Sequence, residues 1–466
     1  MKILSNNKIN TMIIGVLAFI VSIMFYYGGH NIVSSLILIV TSFILVYINK
    51  KEYGYYTNPV GVFSGIWFLT IGLATLRLHH VQVEWKIMTW ICLITAFVFF
   101  VLGYYSQTLN FLKSKFEKKQ NKNFDDNKKT ALVLILIIFF SSLISIIVEC
   151  FVCEIPMFSK DIYSYMNFGL FGLRYFGVSS ALVLPLSCLY IAKFQKWISK
   201  KEWILLIIIN ILMLFVPFLI VSRGLVLSTL FFTLFTLCSI YKKKELFLIP
   251  IMLLIILFSW KTIGNLKNME DAYLNKAFYM NLLDNNKDNK KENITEKANM
   301  GKKTTIKNIK LMRTYMYFCL NYDNFNLNVD KVKYTYGKSF FYPIYVMTGL
   351  KFITQMEDPR EKLKRIMYTF NTFSILFLPY MDFGVIGIAV FMFLMGCLCF
   401  FFENIYKDIL FSSFFKFCCL FSFFSPYLIY PPTIMFYMVF LIVGRFVINK
   451  YLIKENFNKK SYENFN

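Results

Sequence analysis

The chain has 466 residues, of which 57% are hydrophobic and 19% aromatic, with a mean hydropathy of +0.56 and a formal net charge of +24. The apolar residues form blocks of roughly twenty, which are long enough to cross a bilayer as helices. A soluble chain of this length would instead form several domains in which apolar and polar residues alternate, so a soluble protein is excluded. The positive charge would favour nucleic acid in a soluble protein. Here the lysines lie between the apolar blocks, so they indicate membrane orientation, and no nucleic-acid partner is expected.

About twelve membrane-spanning helices are predicted. The first apolar run lacks a small-residue cleavage site and is followed at once by another run, so it is expected to be a retained helix rather than a signal peptide. A helix satisfies its own backbone hydrogen bonds in lipid, so the fold class is all-α, a polytopic integral membrane protein forming one domain over residues 1–466. The predicted spans are residues 10–27, 31–48, 59–77, 87–105, 131–149, 177–194, 203–221, 225–241, 246–262, 383–402, 409–427 and 432–449.

Basic clusters in alternate connectors set the predicted topology. The positive-inside rule places these connectors, and both termini, in the cytoplasm. The intervening connectors, including residues 77–86 and the tight "VSRG" turn at 221–224, then face outward. The basic clusters lie at residues 49–52, 113–129, 193–202 and 241–245 and in the C-terminal tail.

The segment 263–382 is predicted to be one large outward loop between the ninth and tenth spans. It is rich in lysine, but loops longer than ~60 residues have little influence on topology. Residues 282–303 are polar and are expected to be flexible. Residues 309–325 carry apolar residues at helical spacing with aromatic anchors, which predicts a short amphipathic helix lying at the membrane interface. The loop is therefore expected to be a small structured cap.

The ten cysteines are scattered along the chain. Several fall in predicted spans, where cysteine usually acts as a small hydrophobic residue. Cys150 and Cys153 form a CxxC pair, but no second pair or nearby histidine completes a ligand set. Neither a metal nor another cofactor is expected.

Two charges stand at outward ends of predicted spans. Arg223 lies in the "VSRG" turn, where Ser222 is suited to cap the next helix and Gly224 to permit a sharp turn. Asp382 precedes the tenth span. Arg223 is either a functional cation or an interfacial anchor, and Asp382 is either a functional carboxylate or the cap of the helix that follows it.

Further basic residues are predicted on the same face, among many aromatic residues. Arginine forks bind phosphate, and aromatic rings stack on the apolar faces of sugars, so this pattern favours a ligand with phosphate and sugar parts. Each residue alone is as readily explained as surface charge. The additional candidates are Arg174, Arg313, Lys338 and Arg365.

Three segments carry a resemblance to a known family. They are "TFNTFSILFLPYMDFGVIGIAVFMFLMG" at 369–396, "YTYGKSFFYPIY" at 334–345 and the "VSRGLVL" hairpin at 221–227. Their order resembles that of the oligosaccharide repeat-unit polymerases (O-antigen polymerase, Wzy-type). The resemblance implies an enzyme of the bacterial cytoplasmic (inner) membrane with its active site facing outward. It would transfer a growing glycan from undecaprenyl diphosphate onto a new lipid-linked unit of a surface polysaccharide such as O-antigen or capsule.

The resemblance also implies residue roles and partners. Arg223 would bind the diphosphate, and Asp382 would orient or deprotonate the acceptor. Asn371, Thr372 and Tyr380 would line the sugar path. The implied partners are the undecaprenyl-diphosphate-linked oligosaccharide, the lipid bilayer, and a chain-length regulator and flippase of the same pathway.

Three alternatives remain open. Lipid A O-antigen ligases share this architecture but use a histidine in the outer loop, whereas the histidines here are His30, His79 and His80, all outside it. A flippase or transporter of lipid-linked oligosaccharide would place functional charges in mid-span, where the sequence has few. A structural or partner-binding role would leave Arg223 and Asp382 unconnected. The loop carboxylates that compete with Asp382 as the general base are Asp323, Asp358 and Glu361.

Overall fold

The fold is described from a computed structural model of the chain. All of the regular structure in the described part of the chain is helical, so the predicted all-α class is confirmed. The described residues are 6–79, 81–106, 128–159, 164, 168–265, 302–359, 361, 363–366, 372–426 and 431–448.

The described residues form sixteen α-helices, which are labelled here in chain order. A 3₁₀ turn, Ser179–Leu182, joins α6 to α7, and a π-helical turn, Phe401–Ile405, extends α14. The helices are α1 Asn6–Tyr27, α2 Asn31–Tyr53, α3 Pro59–Thr75, α4 Ile87–Tyr105, α5 Lys128–Val152, α6 Leu173–Val178, α7 Val183–Phe194, α8 Lys200–Leu219, α9 Arg223–Ile240, α10 Glu245–Asn265, α11 Lys302–Asn328, α12 Lys338–Thr348, α13 Leu350–Thr354, α14 Phe377–Phe400, α15 Ile409–Leu420 and α16 Pro432–Ile448.

Among the described residues, eight helical segments are long and apolar enough to cross a membrane. Three more apolar helices, α3, α15 and α16, have only 12 to 17 residues. The chain is thus a helical membrane protein, while the total of twelve spans stays a prediction. The eight segments are Lys8–Tyr27, Asn31–Tyr53, Ile87–Tyr105, Lys128–Val152, Leu173–Trp197, Lys200–Leu219, Arg223–Ile240 and Phe377–Ile405.

Short polar motifs determine where several helices begin. The Asn58 side chain accepts a hydrogen bond from the Gly61 amide at 2.7 Å and caps α3. Ser199 forms a capping box at the start of α8, and Ser222 accepts from the Leu225 amide at 3.2 Å and caps α9, as predicted. Such side chains satisfy amides that have no partner within the helix. The left-handed residue of the α8–α9 turn is Val221, with φ 54°, so the predicted role of Gly224 in that turn is wrong.

Helices α4 and α14 pack in close contact at two glycines. A Cβ atom on Gly103 would lie 2.1 Å from the Phe393 carbonyl oxygen, and one on Gly396 would lie 2.3 Å from the Phe100 carbonyl oxygen. Without a Cβ atom at these two positions, the helix backbones can approach closely and gain van der Waals contact. This contact places α14 next to α4 and thereby fixes the position of Asp382.

The bundle has two chemically different ends. One end contains the basic connectors at residues 49–52, 193–202 and 241–245, and we call it the lysine-rich end. Here the side chain of Glu245, at the start of α10, accepts hydrogen bonds from the α2–α3 connector, namely from the Tyr56 amide at 2.6 Å and from the Thr57 hydroxyl. At the other end, Asn326 of α11 binds the connector that precedes α4. The positive-inside rule predicts that the lysine-rich end is cytoplasmic.

Candidate functional site

The C-terminal turns of helix α11 lie at the end of the bundle opposite the lysine-rich end. The helix was predicted over residues 309–325 as a surface helix, but it extends from 302 to 328, and its last two turns, "NYDNFNLN", are buried. Asparagine and aspartate are costly inside a protein unless every polar atom has a partner. The polar residues of these turns, all at most 4% exposed, are Asn321, Asp323, Asn324, Asn326 and Asn328.

One face of α11 binds the connector between α3 and α4. Asn326 Oδ1 accepts hydrogen bonds from the Lys86 amide at 2.8 Å and from Thr89 Oγ1 at 2.7 Å, and its Nδ2 donates to the Glu84 carbonyl at 3.1 Å. Tyr322 shares a hydrogen bond of 2.7 Å with Thr70. Because these bonds satisfy buried polar atoms, they hold α11 against α3 and α4.

The opposite face of α11 binds the segment that leads into α14. Asn328 pairs with the backbone of Lys364 through both its amide atoms, at 2.8 and 3.1 Å. Asn324 accepts from the Ile366 amide at 2.9 Å and donates to the Thr372 carbonyl at 3.2 Å. We call residues 76–86, 315–340 and 363–382 the cap; residues 80 and 367–371 within it are not described.

Asp323 lies at the centre of the cap and is fully buried. Its carboxylate accepts hydrogen bonds from Trp85 Nε1 at 2.6 Å and Gln82 Nε2 at 3.1 Å. Burial raises the pKa of Asp323 to about 7, although these two bonds and the charge of Arg77 partly offset it. A carboxyl group that binds its proton near neutral pH is suited to proton transfer, but here both oxygens are engaged inside the protein.

Asp382 caps a helix that is distant in sequence. It is 1% exposed, and its carboxylate accepts hydrogen bonds from the amides of Ser339 at 3.0 Å and Phe340 at 2.8 Å, and from the Thr335 hydroxyl. The two amides belong to the first turn of α12, which favours a negative charge. Asp382 therefore caps α12. The prediction that it caps the helix that follows it in sequence is wrong.

The backbone of α14 breaks directly after Asp382. Phe383 has φ −143° and Gly384 has φ 60°, so neither is helical. Two carbonyls next to the break accept hydrogen bonds from residues 335 and 336, at 2.9 and 3.3 Å. A Cβ atom on Gly384 would lie 2.7 Å from the Tyr334 hydroxyl, and its positive φ is also a conformation that favours glycine. The break lets the segment 334–340 pack against α14 with its polar backbone satisfied.

Several predicted site residues lie together in the cap. Tyr380 is buried and donates its hydroxyl hydrogen bond to the Val329 carbonyl, and Thr372 donates to Asn321 Oδ1. The Arg365 guanidinium lies 5.9 Å from the centre of the Phe373 ring, within the range of a cation–π contact. Lys338 is the exposed first residue of α12.

The other predicted residues are less closely connected to the cap. Arg174 is exposed at the start of α6, in a loop whose Phe171 packs against Phe352 of α13 with ring centres 5.1 Å apart. Arg223 is the half-buried first residue of α9. All three donors to the Asp382 carboxylate come from residues 335–340, so Asp382 does not pair with Arg223. Asn371 lies outside the described residues, as does the side chain of Arg313.

The surface around the cap is basic and aromatic. Residues 329–366 contain eight basic and four acidic residues. Exposed lysines at 331, 333, 338 and 364 alternate with aromatic rings. Tyr334 is 48% exposed, Tyr336 76% and Phe341 52%. The surface is thus basic and aromatic, and a ligand with phosphate and sugar parts stays a prediction.

His79 also belongs to the cap. It is buried in the α3–α4 connector, where its Nδ1 accepts a hydrogen bond from the Val81 amide at 3.3 Å and its carbonyl accepts from the Gln82 amide at 3.0 Å. A histidine therefore lies beside α11 although it is outside the long loop. This position removes part of the argument against a ligase-like transferase.

The lysine-rich end contains a buried ion pair, Glu403 and Lys416, that the sequence analysis did not predict. Lys416 of α15 is fully buried and lies 3.1 Å from the Glu403 carboxylate and 2.9 Å from the Ser239 hydroxyl. Tyr55 and Ser412 also donate to Glu403. Charge inside the apolar spans was expected to be scarce, but this ion pair joins four parts of the chain within the bundle.

No family model, curated protein or solved structure matches this chain. The function must therefore be argued from the chemistry of the cap.

Proposed function

We propose that the chain is a polymerase of a bacterial surface polysaccharide, acting on glycans linked to undecaprenyl diphosphate at the outer face of the cytoplasmic membrane. The observation that carries the proposal is the cap. Hydrogen bonds hold Thr372, Tyr380 and Asp382 in this unit, and Lys338 and Arg365 lie on the same segments, at the end of the bundle opposite the lysine-rich end. A fully satisfied buried polar network makes this part of the chain rigid, so the basic and aromatic side chains on it are held in fixed positions.

The proposed reaction is a glycosyl transfer. The bond between the anomeric carbon of the growing glycan and its diphosphate breaks, and the electron pair leaves with the diphosphate. A hydroxyl oxygen at the nonreducing end of the new lipid-linked unit bonds to that carbon, and its proton passes to a base. Positive side chains fixed near the leaving group stabilise the charge that develops on the diphosphate.

Arginine and lysine side chains supply this positive charge in the proposal. Arg365 is held by its ring contact with Phe373, and the backbone of the adjacent Ile366 is bound to Asn324. Arg223 would bind the same diphosphate from the start of α9, and Arg174 would assist it from α6. Lys338 extends from the first turn of α12, which Asp382 holds in place.

The contacts of Asp382 support a positioning role. Because its two oxygens already accept three hydrogen bonds within the protein, the carboxylate orients α12 and Lys338. Its role as a base that touches the acceptor remains a prediction. The side chains of Thr372 and Tyr380 likewise hold the cap through Asn321 and the Val329 carbonyl.

The test is the length of the surface glycan in a strain that lacks this gene. The strain is complemented with wild type, Arg365→Ala, Arg365→Lys or Arg223→Ala, at matched abundance in the membrane. Wild type should restore long chains, whereas Arg365→Ala and Arg223→Ala should leave single repeat units on the surface. Arg365→Lys should restore part of the chain length, because lysine keeps the positive charge but lacks the planar guanidinium group that binds phosphate through two hydrogen bonds. Long chains in the strain without the gene would refute the proposal.

A second candidate function is transport of the lipid-linked oligosaccharide. The Glu403–Lys416 pair favours it, because ionisable residues inside membrane spans often mark transport pathways. This function predicts that the strain without the gene accumulates lipid-linked units inside the cell and shows none on its surface. Single units on the surface would exclude it.

A further inference from the structure

A crevice opens between α5 and α7 near the lysine-rich end of the bundle. Its walls are apolar, and Lys193, in the last turn of α7, lines one side of it. The neighbouring faces of α5 and α8 carry many exposed apolar residues, which suit contact with lipid acyl chains. Its other lining residues include Ala131, Leu134 and Ile135 from α5 and Leu186, Leu189 and Tyr190 from α7.

Tyr190 gives this crevice an unused polar group. Its ring is 2% exposed, and its hydroxyl is buried without a hydrogen-bond partner among the described residues. A buried hydroxyl that lacks a partner costs free energy, which a ligand with an acceptor oxygen would recover. Tyr190 precedes Lys193 by three residues and therefore lies on the same face of α7.

The helix ends around the crevice are strongly basic. Residues 128–129 and 193–202 contain six lysines and one acid, Glu202. Lys128 pairs with that acid at 2.8 Å, which connects the start of α5 to the start of α8. Trp197, between these helices, is 69% exposed, as is common for tryptophan at the level of lipid headgroups.

We propose that this crevice binds an anionic phospholipid of the adjacent leaflet. One ester or phosphate oxygen enters the crevice and accepts a hydrogen bond from the Tyr190 hydroxyl, the acyl chains pack on the exposed apolar faces of α5 and α8, and Lys193 and Lys196 bind the phosphate. Basic pockets between membrane helices on the cytoplasmic side are suited to such headgroups. The proposal concerns the lysine-rich end and does not depend on the function of the cap.

The test measures binding of single lipids to the purified full-length chain by native mass spectrometry. Phosphatidylglycerol is titrated against phosphatidylcholine with the same acyl chains. Wild type should bind phosphatidylglycerol more tightly. The double variant Lys193→Gln/Lys196→Gln should weaken that binding about 25-fold, because a lysine near the surface contributes about fivefold. Tyr190→Phe should weaken it about threefold through the lost hydrogen bond.

Two further variants separate a specific site from general surface charge. Lys51→Gln/Lys243→Gln removes two exposed lysines from other connectors at the same end and should leave the affinity within about twofold of wild type. Ala131→Leu fills the crevice without changing charge and should weaken phosphatidylglycerol binding. Equal losses in the two double variants, unchanged binding in Ala131→Leu, or equal affinity of wild type for both lipids would each overturn the proposal.

Discussion

Replacing Asp323 with asparagine should change how the stability of the protein depends on pH. The folded state keeps the Asp323 proton up to about pH 7, whereas an aspartate in the unfolded chain, whose ordinary pKa is 3.8, has already lost it. The folded state therefore binds more protons between these values. Raising the pH across this window lowers the free energy of unfolding, by about 1.4 kcal/mol per pH unit and about 4 kcal/mol in total.

Asparagine has no such proton to lose. Asp323→Asn should therefore lack this slope between pH 5 and 7. Its amide nitrogen is a donor and accepts no hydrogen bond, so either Trp85 or Gln82 loses its acceptor, which costs about 1–3 kcal/mol at every pH. The variant should be less stable than wild type at pH 5 and equally or more stable at pH 8, where wild type bears the full cost of the buried charge.

The assay is denaturant unfolding in detergent micelles at pH 5, 6, 7 and 8. Taking the difference between variant and wild type removes the contribution of the other titrating groups. Asp330→Asn is the control, because Asp330 is 47% exposed in its pair with Lys86 and its replacement should preserve the wild-type slope. Identical slopes for wild type and Asp323→Asn between pH 5 and 7 would show that Asp323 is already ionised there, and the reasoning would fail.

Three further predictions concern other parts of the bundle. Asp382→Asn should lower the free energy of unfolding by about 1–3 kcal/mol, because one helix amide loses its acceptor. The surface glycan should become shorter, because α12 and Lys338 lose part of their support; a folded variant with glycan of wild-type length would contradict the positioning role. Gly103→Ala should lower the free energy of unfolding by about 1–3 kcal/mol, because the added methyl group pushes α14 away. Gly224→Ala is the control, since the space around Gly224 is open, and it should change this free energy by at most about 1 kcal/mol. Equal effects of the two variants in denaturant unfolding would contradict the close contact. Lys416→Met should lower the free energy of unfolding by about 3–5 kcal/mol, because Glu403 is left charged and buried. The double variant Lys416→Met/Glu403→Gln should regain most of this stability in the same assay. A double variant as unstable as Lys416→Met would contradict the pair.

The role of Asp382 shows why site residues are difficult to assign from sequence. Its position at the end of an apolar run indicated either a functional carboxylate or a cap. Its partners are the amides of residues 339 and 340, more than 40 positions away, and the sequence near Asp382 contains no signal for them. The asparagines of α11 did carry a signal, since five polar residues among eight are unusual for a helix lying at the membrane surface with one apolar face.

The sequence by itself determined the helical membrane class, the positions of eight long apolar helices and the cap of α9 by Ser222. These features depend on hydrophobic blocks and on residues three positions apart, which are local properties of the chain. Only the tertiary structure decided that α11 is buried, that Asp382 caps α12, and that Glu403 and Lys416 pair inside the bundle. A buried polar atom must find a partner wherever the fold brings one, and most of these partners are distant in sequence.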